Sequence, residues 1–227
     1  ILEDTVLYIR RSGGSISKIA AMKNAVGNFI DQVTANATGD PATNEDDVTH
    51  RLGIVKFSGN ESDQIGNDTY RSDGNTYNYS QVVQDLTSVT GNVQSLKNTV
   101  NELAAAGSTR TDFGLNQAQR VLDGDRQHGL GGAREEAKQV VVVFTDGEPS
   151  TFSNWSGGVA ANAVNLAKDL KDDKVTVYTI GMFEDADPSD TDGRFNKYMN
   201  GVSSNYPNAE VTNWRWPFWS FRLLVTF

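Results

Sequence analysis

Val140-Val141-Val142-Val143-Phe144-Thr145-Asp146-Gly147-Glu148 decides the reading of this chain. An unbroken apolar run rich in β-branched residues predicts a central strand covered on both faces, as parallel sheets of α/β folds require. The run ends in Asp146, and in open α/β sheets the carboxyl ends of the strands form the ligand-binding edge. Gly147 permits a sharp turn there, so the carboxylate is placed to hold a cation or a polar ligand. Thr-Asp-Gly also suits an ordinary turn whose acid caps the next helix.

Working outward from this run, strands alternate with helices. Val6-Leu7-Tyr8-Ile9 predicts a first strand, Arg11-Ser12-Gly13-Gly14-Ser15 a loop, and Ile19, Met22, Val26, Phe29 and Val33 an amphipathic helix. Arg51-Leu52-Gly53-Ile54-Val55-Lys56-Phe57 predicts a second strand, and the polar segment 58–80 after it a long loop. Val93, Leu96, Val100 and Leu103 mark another helix. Leu115, Ala118 and Leu122 mark a third, entered through Gly107-Ser108-Thr109-Arg110-Thr111-Asp112. Beyond the central run, Ala160, Val164, Ala167 and Leu170 share a helical face, and Val175-Thr176-Val177-Tyr178-Thr179-Ile180 is a further strand closed by Gly181. This order predicts a Rossmann-like, doubly wound, mainly parallel sheet with helices on both faces.

Composition narrows the function. The 227 residues suit one α/β domain spanning 1–227. With 29 acidic against 20 basic residues the formal charge is −9, which argues against a phosphate-tracking nucleic-acid binder. No cysteine occurs, so disulfides, thiolate metal sites and a catalytic thiol are excluded. No apolar stretch approaches the length of a membrane span, and Ile1-Leu2-Glu3-Asp4 lacks the basic and apolar regions of a signal peptide, so the chain reads as an excised domain. Five Asn-X-Ser/Thr triplets are no more than an Asn-rich chain produces by chance. The segment 214–227 breaks the pattern, with Trp214, Trp216 and Trp219 beside Pro217 and a strand-like Leu223-Leu224-Val225-Thr226-Phe227. Packing under the sheet edge and an exposed binding patch are both open to it.

If the strands beginning at Val6 and Val140 are neighbours, Ser12, Thr109 and Asp146 meet at one edge of the sheet. Hydroxyls and a carboxylate without His or Cys suit a hard divalent cation such as Mg²⁺. Ser12 and Thr109 equally suit helix N-caps. Ser15, Asp112 and Glu148 are candidate rim residues.

These motifs resemble the von Willebrand factor A domain, of the kind found in pilus-tip and cell-wall-anchored adhesins of Gram-positive bacteria. Gly107-Ser108-Thr109-Arg110-Thr111-Asp112-Phe113-Gly114-Leu115 resembles the family's second metal-site loop, Phe144-Thr145-Asp146-Gly147 its third, and Val177-Tyr178-Thr179-Ile180-Gly181 the strand beyond. Gly66-Asn67-Asp68-Thr69-Tyr70-Arg71 and Asn200-Gly201-Val202-Ser203-Ser204-Asn205-Tyr206-Pro207 are similar to the bacterial adhesin branch. The resemblance covers about residues 4–211 and leaves the aromatic tail outside. It implies an extracellular, non-enzymatic adhesion module at the bacterial surface or cell wall. In such a module a metal-ion-dependent adhesion site holds Mg²⁺ or another divalent cation with an open position for an acidic group of the partner. The implied partner is a host extracellular protein or glycan, or another pilus subunit.

The first metal loop departs from the family pattern Asp-X-Ser-X-Ser, offering Arg10-Arg11-Ser12-Gly13-Gly14. Ser12 survives, while Arg10 takes the Asp position and Gly14 the second Ser. A guanidinium at that place repels a divalent cation, or takes its place by pairing with Asp146 through its fork. The loss favours the alternative of a structural module with no functional metal site. Enzyme classes fare worse. Ser12-Gly13-Gly14-Ser15-Ile16-Ser17 matches neither the dinucleotide fingerprint nor the phosphate loop, and no Gly-X-Ser-X-Gly elbow occurs. The two histidines, His50 and His128, stand in or beside polar loop sequence. Within 58–80, Tyr70, Tyr77 and Tyr79 give a projecting loop amphipathic contact groups suited to a partner.

Overall fold

A computed structural model of the chain describes residues 17–37, 50–59, 80–105, 107–151, 154–182, 189–190 and 193–211, and the backbone of 69–72 and 75–78. The expected first strand at Val6, the loop residues Arg10, Ser12 and Ser15, and the aromatic tail lie outside the described residues.

In chain order the elements are α1 (Lys18–Ala35), β1 (Arg51–Lys56), β2 (Thr69–Ser72), β3 (Asn75–Asn78), β4 (Gln81–Ser88), α2 (Val93–Asn101), α3 (Thr111–Asp123), a 3₁₀ turn (Arg126–His128), β5 (Val140–Thr145), β6 (Ser150–Thr151), β7 (Asn154–Trp155), α4 (Gly157–Asp172), β8 (Thr176–Gly181) and α5 (Arg194–Val202). The helices begin where local chemistry starts them. The Ser17 side chain accepts from the Ala20 N–H at the head of α1, and Ser156 does the same for Val159 at the head of α4, each satisfying an orphan donor of the first turn.

The β5–α4–β8 unit is the parallel part of this α/β fold. β5 and β8 run in register from Val140↔Thr176 to Thr145↔Gly181, so their carboxyl ends finish together. Cover over the apolar run is graded. Val143 is buried, whereas Val140 at the strand's start is 43% exposed, because it sits at the end remote from the loops that close over the carboxyl edge. Beside β5, α4 presents Ala160, Ala163, Val164, Ala167 and Leu170 at helical spacing, all inaccessible to solvent. Its small residues let the helix approach closely, and with Leu115 of α3, Val177 of β8 and Tyr198 of α5 they form the larger core. Lys171, at the end of α4, is buried and its ammonium donates to the carbonyls of Gly201, Ser203 and Tyr206 at 3.0–3.3 Å, fastening the end of α5. Burial first and the neighbouring Lys168 second push this amine down to about 8, against the pull of Asp172.

A second core joins α1, β1, β4 and α2 through Ile30, Ile54, Val89, Leu96 and Val100. Phe29 of α1 also meets Phe144 of β5 edge-on, at 6.5 Å between ring centroids.

Two departures from the sequence reading concern 58–88. β4 pairs antiparallel with β1, and its register shifts on both sides of Ile54. Gly53 sits at this irregularity with a hypothetical Cβ 3.1 Å from Val121 Cγ1, so the missing side chain is what lets α3 lie on β1. The segment expected as one loop contains the hairpin of β2 and β3, with Tyr70 opposite Tyr77. Both were hidden by weak alternation, since cross-strand pairing rather than periodic apolar residues defines them. Among the described residues no helix is long and apolar enough to cross a membrane.

Candidate functional site at the carboxyl edge of the sheet

β5 carries Asp146 to the carboxyl edge, and a turn built by Thr145 then presents it. The buried Thr145 hydroxyl donates to the Gly147 carbonyl at 2.9 Å and accepts from the Gly147 N–H at 3.3 Å, folding the chain back and leaving Asp146 exposed. The Met182 N–H, just past β8, donates to the Thr145 carbonyl at 2.9 Å and holds the strand end from the other side.

The loop before α3 is clamped to this turn. The Thr109 N–H donates to Ser150 Oγ at 3.0 Å, and the Ser150 N–H donates to the Thr109 carbonyl at 3.1 Å. A methyl group added at Gly147 would overlap the Thr109 hydroxyl, so the side chain of Thr109 lies directly against the residue that follows Asp146. Thr109 is not used as a helix cap, because Arg110 occupies that position and makes no side-chain cap bond. Among the described residues, neither the Thr109 hydroxyl nor the Asp146 carboxylate makes a hydrogen bond or an ion pair.

The same loop is anchored from below. The Ser108 N–H donates to the Gly59 carbonyl at 2.8 Å, and Gly107, at φ +69°, packs against Ser58 and Gly59. Ser80, fully buried, accepts from the Ser58 N–H and donates to the Ser58 carbonyl, which ties the stem of the 58–80 insertion to the segment that delivers Thr109.

Asp112 does not reach the rim. It is 3% exposed, and its two carboxylate oxygens each meet the Arg110 guanidinium at 2.9 Å. Arg110 also lies 3.5 Å over the Phe113 ring, and the Phe113 N–H donates to the same carboxylate. A bidentate pair beneath the first turn of α3 engages both oxygens of that buried acid. Deeper still, the hydroxyls of Thr111 and Tyr198 face each other without reaching hydrogen-bond geometry, and burial raises the Tyr198 phenol far above its usual value.

Glu148 does stand at the surface, but engaged. Its carboxylate meets Arg194 Nη2, at the first residue of α5, at 2.6 Å. The guanidinium rests 4.4 Å over the Trp155 ring, and Trp155 in turn stands edge-on to Tyr198 at 6.0 Å. Ser150, Trp155 and Arg194 went unnoticed in the sequence. Ser150 and Trp155 face each other across β6 and β7, strands of two residues, too short to show a period. Arg194 lies 46 positions from Glu148 and carries no local signal of that contact.

The described donors are all oxygen: an uncommitted hydroxyl and an exposed carboxylate held on adjoining loops. Among the described residues no three His, Cys, Asp or Glu side chains gather as a metal cage, so a cation here would rely on hydroxyls and water. That chemistry fits a hard divalent ion that keeps several waters and excludes a soft-metal site.

No curated protein sequence matches the chain. Among solved structures it is similar to proximal thread matrix protein 1 from the mussel byssus with a zinc-occupied MIDAS motif, at 17% identity and TM-score 0.47, over 82% of this chain and 36% of that one. It is similar to the manganese-loaded Plasmodium vivax TRAP protein at 19% identity and TM-score 0.44, over 81% and 57%. It is also similar to the conserved hypothetical protein BatB from Bacteroides thetaiotaomicron at 17% identity and TM-score 0.41, over 72% and 56%. The chain thus spans between 36% and 57% of the length of these structures. The model of the von Willebrand factor type A domain matches residues 9–214, and with that extent the chain belongs to the von Willebrand factor type A domain family.

Proposed function

We propose that this domain is a non-enzymatic adhesion module that binds its partner at a metal-ion-dependent site, as part of a bacterial surface or pilus protein. Ser12, Thr109 and Asp146 would hold Mg²⁺ or another divalent cation, with waters completing its shell. When bound, the cation supplies an open position for an acidic group of the partner. The observation that carries this reading is the juxtaposition of an uncommitted Thr109 hydroxyl with the turn that exposes Asp146. Extracellular placement at the bacterial cell wall, and a host protein or glycan or a further pilus subunit as partner, follow from the resemblance of the motifs to pilus-tip adhesins.

The degenerate first loop favours a second reading, a structural module that binds nothing through a metal. Arg10 puts positive charge where the family's motif has an acid, and Gly14 removes a hydroxyl. Calorimetric titration with Mg²⁺ separates the two, run on this chain and on an Arg10→Asp, Gly14→Ser version. Saturable binding by the chain itself supports the adhesion site. Binding by the doubly substituted version alone supports the structural module. Adhesion to matrix proteins that is abolished by chelator is the corresponding functional result, and adhesion indifferent to chelator removes the metal from the proposal.

A further inference from the structure

Arg194 has no role in holding a cation, yet the fold keeps it against Glu148, two residues beyond the acid that would. Glu148 follows Asp146 by two residues, at most about 7 Å of chain, and Arg194 is in direct contact with Glu148. The guanidinium plane is fixed by stacking on Trp155, which is itself braced by the fully buried Tyr198 ring. Its side chain is 48% exposed, and Glu148 occupies Nη2 alone. Among the described residues the other N–H groups of this guanidinium donate to nothing. An Arg fork has a second edge that matches a carboxylate in two parallel bonds.

We propose that Arg194 is a specificity-determining residue of this site: its open edge takes a second carboxylate of an acidic peptide whose first carboxylate is received at Thr109 and Asp146. This rests on the reading of that site as one that accepts an acidic group, and it narrows the partner to a protein segment with two acids close together. Two glutamates separated by one residue in an extended peptide project from the same face about 7 Å apart, and Arg194, in contact with the residue two beyond Asp146, is the nearby cation for the second of them. The formal charge of −9 does not forbid such a ligand. Charges beyond about 8 Å are screened at physiological ionic strength, whereas a guanidinium in contact is not. The requirement for a fixed local cation is greater on an acidic surface than on a neutral one.

The test compares two capped pentapeptides, acetyl-Gly-Glu-Gly-Glu-Gly-amide and acetyl-Gly-Glu-Gly-Gln-Gly-amide, titrated into the domain with Mg²⁺ and with chelator. The diacid is expected to bind about tenfold more tightly than the monoacid, and Arg194→Gln to erase that ratio while the monoacid binds as before. Arg194→Lys, which keeps charge but loses the fork and the stacking plane, restores only part of it. Glu148→Gln separates reading from bracing: it strengthens diacid binding if Arg194 reads the ligand, and weakens it as Arg194→Gln does if Arg194 merely positions Glu148. Equal affinity of the two peptides for the native domain, a loss shared equally by both peptides in Arg194→Gln, or no binding of either peptide at millimolar concentration overturns the proposal. Titration with Mg²⁺ alone reports separately on the cation site. A chain that binds Mg²⁺ without preferring the diacid overturns this inference alone, and a chain that binds no Mg²⁺ overturns the metal reading and this inference with it.

Discussion

Two arginine–carboxylate pairs flank the candidate site, built from the same parts and put to different ends. Arg110–Asp112 and Arg194–Glu148 each join a guanidinium to an acid at 2.9 and 2.6 Å, and each guanidinium lies over an aromatic ring, Phe113 in one and Trp155 in the other. They differ in water. The side chains of the first pair are 8% and 4% exposed, those of the second 48% and 38%. In the buried pair water does not compete for either charge, so the contact is fixed and shapes the loop that delivers Thr109. In the exposed pair water competes with the contact, and a ligand carboxylate can rearrange it at little cost. Burial, more than chemistry, separates scaffold from recognition surface here.

The sharpest way to break this comparison is to remove one acid from each pair. Asp112→Ala removes the carboxylate paired with the buried Arg110 guanidinium and is expected to destabilise the domain by about 3–5 kcal/mol, measured by denaturant unfolding. A loss as small as that of an exposed pair would mean that Arg110 finds water, and the contrast would fail. Gly147→Ala acts between the two pairs. Its methyl group drives the Thr109 hydroxyl to another rotamer with modest loss of stability, and Mg²⁺ affinity should fall about tenfold, about 1.4 kcal/mol, in a calorimetric titration. Unchanged affinity would remove Thr109 from the ligand set.

Arg194→Gln is expected to change unfolding free energy by less than about 1 kcal/mol, while the peptide ratio described above collapses. A larger stability loss would make the exposed pair a structural one. A third pair sharpens the trend. Arg120 and Asp125 stand 2.7 Å apart at intermediate exposure, with His128 Nδ1 also 2.7 Å from the carboxylate. Bonds from Arg120 first and His128 second hold Asp125 down at about 2. A carboxylate lowered by folding contributes stability that is full above its ordinary value near 3.8 and lost as the pH falls from there through 2. Amide protection factors in the 125–130 turn should therefore fall over that window, with those of the global core unaffected. Protection constant down to pH 2 would show the pair to be inert.

The site was legible in the sequence to the extent that it is local. Asp146 could be placed because a β-branched apolar run followed by Thr-Asp-Gly fixes a strand and its end within a few residues. Thr109 could be paired with it only by assuming an α/β strand order and through resemblance to a family, since nothing between residues 109 and 146 encodes their approach. Asp112 was misplaced for a related reason. Three residues past Thr109 it looks equally available, and helix geometry turns it under α3 onto Arg110.

By itself the sequence determined the elements whose stability comes from one periodic face: the β5 run and the α4 stripe of Ala160, Val164, Ala167 and Leu170. Tertiary structure alone decided that β4 pairs with β1, that the 58–80 insertion holds a hairpin, that Ser150 clamps Thr109, and that Arg194 reaches Glu148 from 46 positions away. The physical reason is the range of the forces that select each feature. Helical and strand periodicity is satisfied within a few turns of chain, whereas hydrogen bonds between loops and the desolvation that separates the two arginine pairs exist only once distant segments are packed together.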